Sequence, residues 1–117
     1  AATEAAAKPA GNEPKDPFSK LEIRVGRIEV VNDHPNADAL FAMTVDLGSE
    51  QRTIVSGIAA AYAPEALVGR TVVLLANLKP AKIRGVESHG MLLAAGEKDV
   101  LAVLAPDRDV PPGTKIR

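Results

Sequence analysis

Lys79, Lys82 and Arg84 fall in one short segment, Asn77-Leu-Lys-Pro-Ala-Lys-Ile-Arg-Gly-Val-Glu-Ser-His-Gly-Met91, which Pro80, Gly85 and Gly90 interrupt. Cations clustered on a firmly held loop can clamp phosphate oxygens, the groups that take most protein–nucleic acid hydrogen bonds. Arg84 can engage two oxygens at once through its planar fork, whereas each lysine acts as a point charge. Asn77 and Ser88 offer short hydrogen bonds to a backbone or a ribose, a 2′-hydroxyl included. Gly85 and Gly90 let the main chain turn and come close to a ligand. Pro80 stiffens the loop and lowers the entropy lost on binding. Met91 has two places open to it, the edge of the site or the core. The plainer reading of the same charges is a solvated loop whose lysines serve solubility.

Such a loop needs rigid supports, and apolar runs stand on both sides of it. Val72 to Ala76 enters and Met91 to Ala95 leaves, so the loop is expected to hang between two buried strands. Upstream, Leu21, Ile23 and Val25 alternate with Glu22 and Arg24, the pattern of a half-buried strand. Gly26 breaks the phase before Ile28 and Val30, which predicts a bulge or bend at the glycine. Phe41, Met43, Val45 and Leu47 alternate again, and Gly48-Ser49-Glu50 turns the chain into Arg52 to Ile58. Pro64 and Gly69 frame a short helix. Val100 to Leu104 completes a set of short strands, and Lys115 to Arg117 can pair at the end. The pattern predicts an all-β domain, a five-stranded Greek-key barrel of the OB type with one short helix and a C-terminal extension.

Residues 1–17 are of a different composition, with three prolines and no large apolar side chain. Such a stretch cannot bury enough surface to offset its ordering entropy, and it reads as a disordered linker. The folded domain is expected over residues 18–117. A linker at the start of a chain that opens on Ala1 rather than Met leads us to expect further protein upstream.

Charge and composition exclude several functions. The chain carries 14 basic and 15 acidic residues, a net charge of −1, whereas sequence-blind polyanion binders are basic overall. Any positive field is therefore local. Phe18, Phe41 and Tyr62 are the only aromatic residues, too few for the stacking platform on which single-strand binders rest. Tyr62 is expected to pack beside the short helix, and Phe41 toward the core. No apolar run reaches the ~20 residues of a membrane helix, so no membrane partner is expected. The absence of cysteine removes disulfides and thiolate metal sites and suits a cytoplasmic protein. His34 and His89 lack metal-ligand spacing, and Ser56-Gly57 is no nucleophile elbow. Neither a catalyst nor a cofactor is expected.

Four blocks in order add a resemblance. They are Arg24-Val-Gly-Arg-Ile28, His34-Pro-Asn-Ala-Asp38 with Leu40, Ile54-Val-Ser-Gly-Ile58, and residues 77–91. The chain resembles the tRNA-binding domain at the C-terminus of many methionyl-tRNA synthetases, over about residues 18 to 117. Similar domains stand alone as tRNA-binding proteins or serve as auxiliary subunits of synthetase complexes. The resemblance implies an OB barrel, shape-dependent binding at the tRNA outer corner, and homodimerisation, with catalytic domains upstream in the same polypeptide. It places tRNA contacts at Asn77, Lys79, Lys82, Arg84, Ser88 and Met91. Arg24 and Arg27 either flank that face or only solvate the first strand. His89 stands where a neutral polar residue is expected in many relatives. A free-standing tRNA-binding protein and a protein-interaction or dimerisation module are the alternatives. For the dimer, residues from about Val100 to Arg117 are the expected contact.

Overall fold

A computed structural model describes residues 17–117, so the linker expected over residues 1–17 lies outside the described residues except for Pro17. After a 3-10 turn at Pro17–Lys20 the chain enters β1 (Ile23–His34), the longest strand. Strand β1 pairs with β2 (Ala37–Asp46) along its second half and with β4 (Thr71–Leu75) along its first. A terminal strand, β10 (Lys115–Ile116), pairs with Ile23 and Arg24. A strand has two edges; since β4 takes one, β10 and β2 share the other. Strand β3 (Gln51–Ser56) extends the sheet beyond β2, and β7 (Met91–Leu92) extends it beyond β4.

Alternation explains which face of each strand is buried. Phe41, Met43, Val45 and Leu47 point inward with Ile54, Val72 and Leu74, and all are at most 5% exposed. Helix α1 (Pro64–Leu67) begins on its proline and sends Leu67 completely into this core. Burying one such side chain is worth roughly 1.5–3 kcal/mol. Tyr62 packs against the same cluster beside α1, and its hydroxyl accepts a hydrogen bond from the Val103 amide at 3.1 Å. The OB-type barrel expected from the strand pattern is therefore the fold.

Two local features differ from the sequence reading. Strand β1 keeps its pairing through Gly26, and its register against β2 shifts between Ile28 and Val30 and again between Asp33 and His34. The glycine answers a packing need: a Cβ there would lie 2.6 Å from Val45 Cγ1 and 2.7 Å from Leu74 Cδ2. A one-residue slip past the bulge turns Val30 outward to 44% exposure. The second difference concerns the basic segment, which is no simple loop. It contains a hairpin, β5 (Ala81–Ile83) with β6 (Val86–Ser88), joined by Arg84 and Gly85 alone. Residues beyond β7 form another hairpin, β8 (Ala94–Gly96) with β9 (Val100–Val103).

The barrel closes where the hairpin re-enters it. Strands β3 and β7 are the two ends of the strand order, and residues 88–90 bridge them. The His89 amide donates to Thr53 O at 2.8 Å, and the Val55 amide donates to Ser88 Oγ at 2.9 Å. Segment 77–91 is thus a stave of the barrel as well as its most basic stretch.

Candidate nucleic-acid interface

The base of the basic segment is fastened from three sides. Asn77 Oδ1 accepts the Glu22 amide at 3.0 Å, and its Nδ2 donates to Lys20 O at 2.7 Å. Its amide therefore holds the approach to β1. Arg52, on β3, donates through one nitrogen, Nη1, to both Ala76 O and His89 O, the latter at 3.3 Å. One guanidinium thus spans the two ends of the excursion. Its other terminal nitrogen donates to Glu50 Oε2 at 3.0 Å, and the guanidinium holds the Glu50 carboxyl below the usual carboxylate range. Ser88 is 3% exposed. Its hydroxyl accepts from Val55 and donates to Gly90 O at 3.0 Å, so both of its principal hydrogen-bonding roles are filled inside the protein.

The tip is fastened as well. A two-residue hairpin matches the strand twist best in a primed turn, and the type I′ form puts both central residues at positive φ. Arg84 has φ 54° and Gly85 φ 95°. For a non-glycine residue the left-handed conformation costs about 1–2 kcal/mol. The turn between β1 and β2 supplies contacts that hold it. His34, 5% exposed, meets Ile83 O through Nε2 at 2.8 Å. The Asn36 amide donates to His34 Nδ1 at 2.9 Å, which leaves the ring proton on Nε2 and makes that nitrogen the donor to Ile83. Asn36 Nδ2 then donates to Arg84 O at 2.9 Å.

The three cations occupy different sides of this fixed hairpin. Lys79 lines an apolar groove of about 530 Å³ whose walls include Leu78, Ala81, Ile83 and Met91. Lys82 faces away from it, because it sits opposite Glu87 while its neighbours Ala81 and Ile83 line the groove. Arg84 occupies the tip. None of the three joins an ion pair among the described residues. Glu87 directs its carboxylate to His89 Nε2 at 3.3 Å instead of to Lys82. Met91 is 48% exposed on the groove wall, and Leu92 beside it takes the core position at 6%. Gly90 belongs to the packing, since a Cβ there would lie 2.8 Å from Ile54 Cδ1.

Among the expected site residues, then, Lys79 and Met91 share the groove with the inner wall at Ser88, while Lys82 and Arg84 lie outside it. Arg24 does not flank this face freely: it pairs with Glu22 at 2.7 Å and donates to Gly113 O at 2.8 Å. Arg52, His34 and Asn36 carry structural duties at the site that composition did not announce. The ordered block His34 to Asp38 was the available signal, and it gave no role.

Comparison with known proteins places the chain in a family. The family model described as "Putative tRNA binding domain" matches residues 23–115. A methionine–tRNA ligase of Thermococcus kodakarensis is 55% identical over 102 residues, which are 87% of this chain and 14% of that protein. The chain thus spans about a seventh of that relative's length. Among solved structures, a MetRS-related protein from Pyrococcus horikoshii superposes with a TM-score of 0.78 at 37% identity, covering 86% of this chain and 93% of that one. The chaperone CsaA from Bacillus anthracis superposes with a TM-score of 0.77 at 27% identity, again covering 86% and 93%. A match to the family model across nearly all the described residues shows that the chain belongs to the tRNA-binding domain family.

Proposed function

We propose that the β5–β6 hairpin is the surface that meets tRNA, with Lys79, Lys82 and Arg84 holding phosphates. One observation carries the reading: three cations with no ion pair among the described residues stand on, or just ahead of, a hairpin tied down at both base and tip. Charges on the groove side, the outer side and the tip suit a backbone that curves round the hairpin, as at the outer corner of a folded tRNA, better than a straight duplex. Met91 gives the groove wall an apolar contact for a ribose or base. Asn77 and Ser88 support the contact surface from behind, and Asn77, exposed at its base, keeps capacity for a further hydrogen bond. A near-neutral domain with a local positive field binds modestly and by shape.

In this reading the domain serves as an appendix of a methionyl-tRNA synthetase in the cytoplasm, raising the local concentration of tRNA for catalytic domains upstream. The high identity to methionine–tRNA ligases supports that parent. A free-standing binding protein is the second reading, supported by solved relatives in which this domain is 93% of the chain. Homodimerisation is part of the proposal: Leu101 on β9 is 78% exposed and Leu104 43%, an apolar surface within the expected contact from Val100 to Arg117.

Competition binding tests the tRNA contact. Intact tRNA should displace a labelled tRNA from the protein at lower concentration than the same RNA kept unfolded. Equal competition by the two would remove the shape-dependent reading.

A further inference from the structure

Arg84 stands at a conformationally unfavourable point, and its hairpin cannot hold it there alone. Each strand of the hairpin has three residues, and an isolated two-stranded ribbon is marginal in water even when longer. What fixes the tip comes from the turn between β1 and β2. The carbonyl of Ile83 belongs to the peptide plane before Arg84, and the carbonyl of Arg84 to the plane after it. His34 Nε2 holds the first at 2.8 Å and Asn36 Nδ2 holds the second at 2.9 Å. With both flanking planes anchored, φ and ψ of Arg84 are set, and so is the direction in which its side chain leaves the backbone. Asn36 acts twice, because its amide also selects the His34 tautomer that can donate to Ile83. The Asn36 carbonyl lies 3.4 Å from Arg84 Nη2, a long contact that leaves the rest of the guanidinium fork open.

We infer that Asn36, acting with His34, is a positioning residue for RNA binding: it touches no phosphate itself but presents Arg84 in the geometry that binds one. This deepens the proposed function and rests on the reading that the hairpin meets tRNA. Its physical basis is preorganisation. Ordering of the tip is done during folding, so binding does not have to supply it. Asn36 is exposed, and replacing it removes one side-chain donor without opening the core.

A double-mutant cycle on the 117-residue chain tests the inference. Asn36→Ala should weaken tRNA binding by roughly three- to tenfold, the range one hydrogen bond carries. The slope of log affinity against log salt should stay as in the parent, because no phosphate contact is deleted. In an Arg84→Ala background the same Asn36→Ala change should have almost no further effect, since the residue it positions is gone. Hydrogen exchange in the RNA-free protein supplies an independent readout. The Gly85 and Val86 amides should exchange faster in Asn36→Ala while the β1 amides keep their protection, which also shows that the variant is folded. Additive losses in the cycle, or unchanged exchange at the tip, would overturn the positioning role. If Arg84→Ala alone leaves affinity and salt slope untouched, the hairpin is not the tRNA contact and both readings fall. If Arg84→Ala weakens binding and Asn36→Ala does not, the positioning role falls and the tRNA contact stands.

Discussion

Two hairpins leave the same barrel and are built on opposite principles. The β5–β6 hairpin is held largely through side chains: Arg52 at its base, its own Ser88 hydroxyl on the Val55 amide, and His34 and Asn36 at its tip. It exposes charge and little apolar surface apart from the groove wall. The β8–β9 hairpin is attached mainly through backbone, with Leu104 N donating to Leu93 O at 2.9 Å and Val73 N to Leu104 O at 3.1 Å. It anchors Val103 in the core at 7% exposure yet leaves Leu101 at 78%. A surface that must present charges in set positions needs its entropy removed beforehand. An apolar surface gains from area alone, and its contacts are not directional. In the proposed reading the first hairpin meets a polyanion and the second a protein surface.

Removing the charges from the first hairpin is the strongest way to break this contrast. The triple Lys79→Ala, Lys82→Ala, Arg84→Ala variant should lose on the order of a hundredfold or more in tRNA affinity, at about 1–3 kcal/mol for each charged contact. Its salt slope should flatten by roughly 0.7–0.9 per lost phosphate contact. The melting temperature should barely move, because none of the three side chains joins an ion pair among the described residues. Arg108, 83% exposed in its side chain beside Asp107, is the control, and Arg108→Ala should leave affinity and slope as they are. A triple variant that folds and binds tRNA with the parent's affinity and slope would end the assignment.

Smaller losses distinguish support from contact. Ser88→Ala leaves the buried Val55 amide without its partner, which should cost about 1–3 kcal/mol of stability in urea unfolding. The salt slope of tRNA binding should not change in that variant. A lowered slope would instead mean that a phosphate contact is lost together with Ser88.

The second hairpin is tested at Leu101. Leu101→Asp should change monomer stability by no more than about 0.5 kcal/mol, as expected for a solvent-facing site. Light scattering at high micromolar concentration should register a dimer for the parent and a monomer for the variant. A parent that scatters as one protomer would remove the association role of β9. A dimer that survives the change would move the interface elsewhere.

The smallest expected effect is in the acid range. Arg52 lowers the Glu50 pKa, so the pair contributes stability above the ordinary carboxylate range and loses it as pH falls through the depressed value. Glu50 is an exposed partner, and such pairs contribute little. Glu50→Gln should slightly reduce the acid-side pH dependence of unfolding, and added salt should shrink the difference further. Equal pH profiles for the parent and Glu50→Gln at low salt would show that the ion pair adds nothing to the Arg52 clamp.

Much of the barrel was legible because strand burial follows a period of two. Phe41, Met43, Val45 and Leu47 announced their own orientation, and Pro64 with Gly69 announced α1. The hairpin inside 77–91 was not legible for an equally physical reason. Arg-Gly is not a usual primed-turn pair, because arginine pays for positive φ, and three-residue strands are too short to show alternation. Gly26 misled for the opposite reason. Its local meaning in a strand is a bulge, whereas its tertiary meaning is the space that Val45 and Leu74 need.

The sequence by itself determined the main barrel strands and the core they share, the short helix, and the clustering of three cations in one segment. It also ruled out a disulfide scaffold, because no cysteine is present. Only the tertiary structure decided which way the cations face and what holds them. Arg52 with Ala76 and His89, and His34 and Asn36 with Ile83 and Arg84, are pairs separated by 24 to 49 residues. Periodicity and propensity act over a few neighbouring residues, so they cannot encode which distant carbonyl a side chain will meet. That choice is made when the barrel closes and brings the β1–β2 turn and β3 against the basic hairpin.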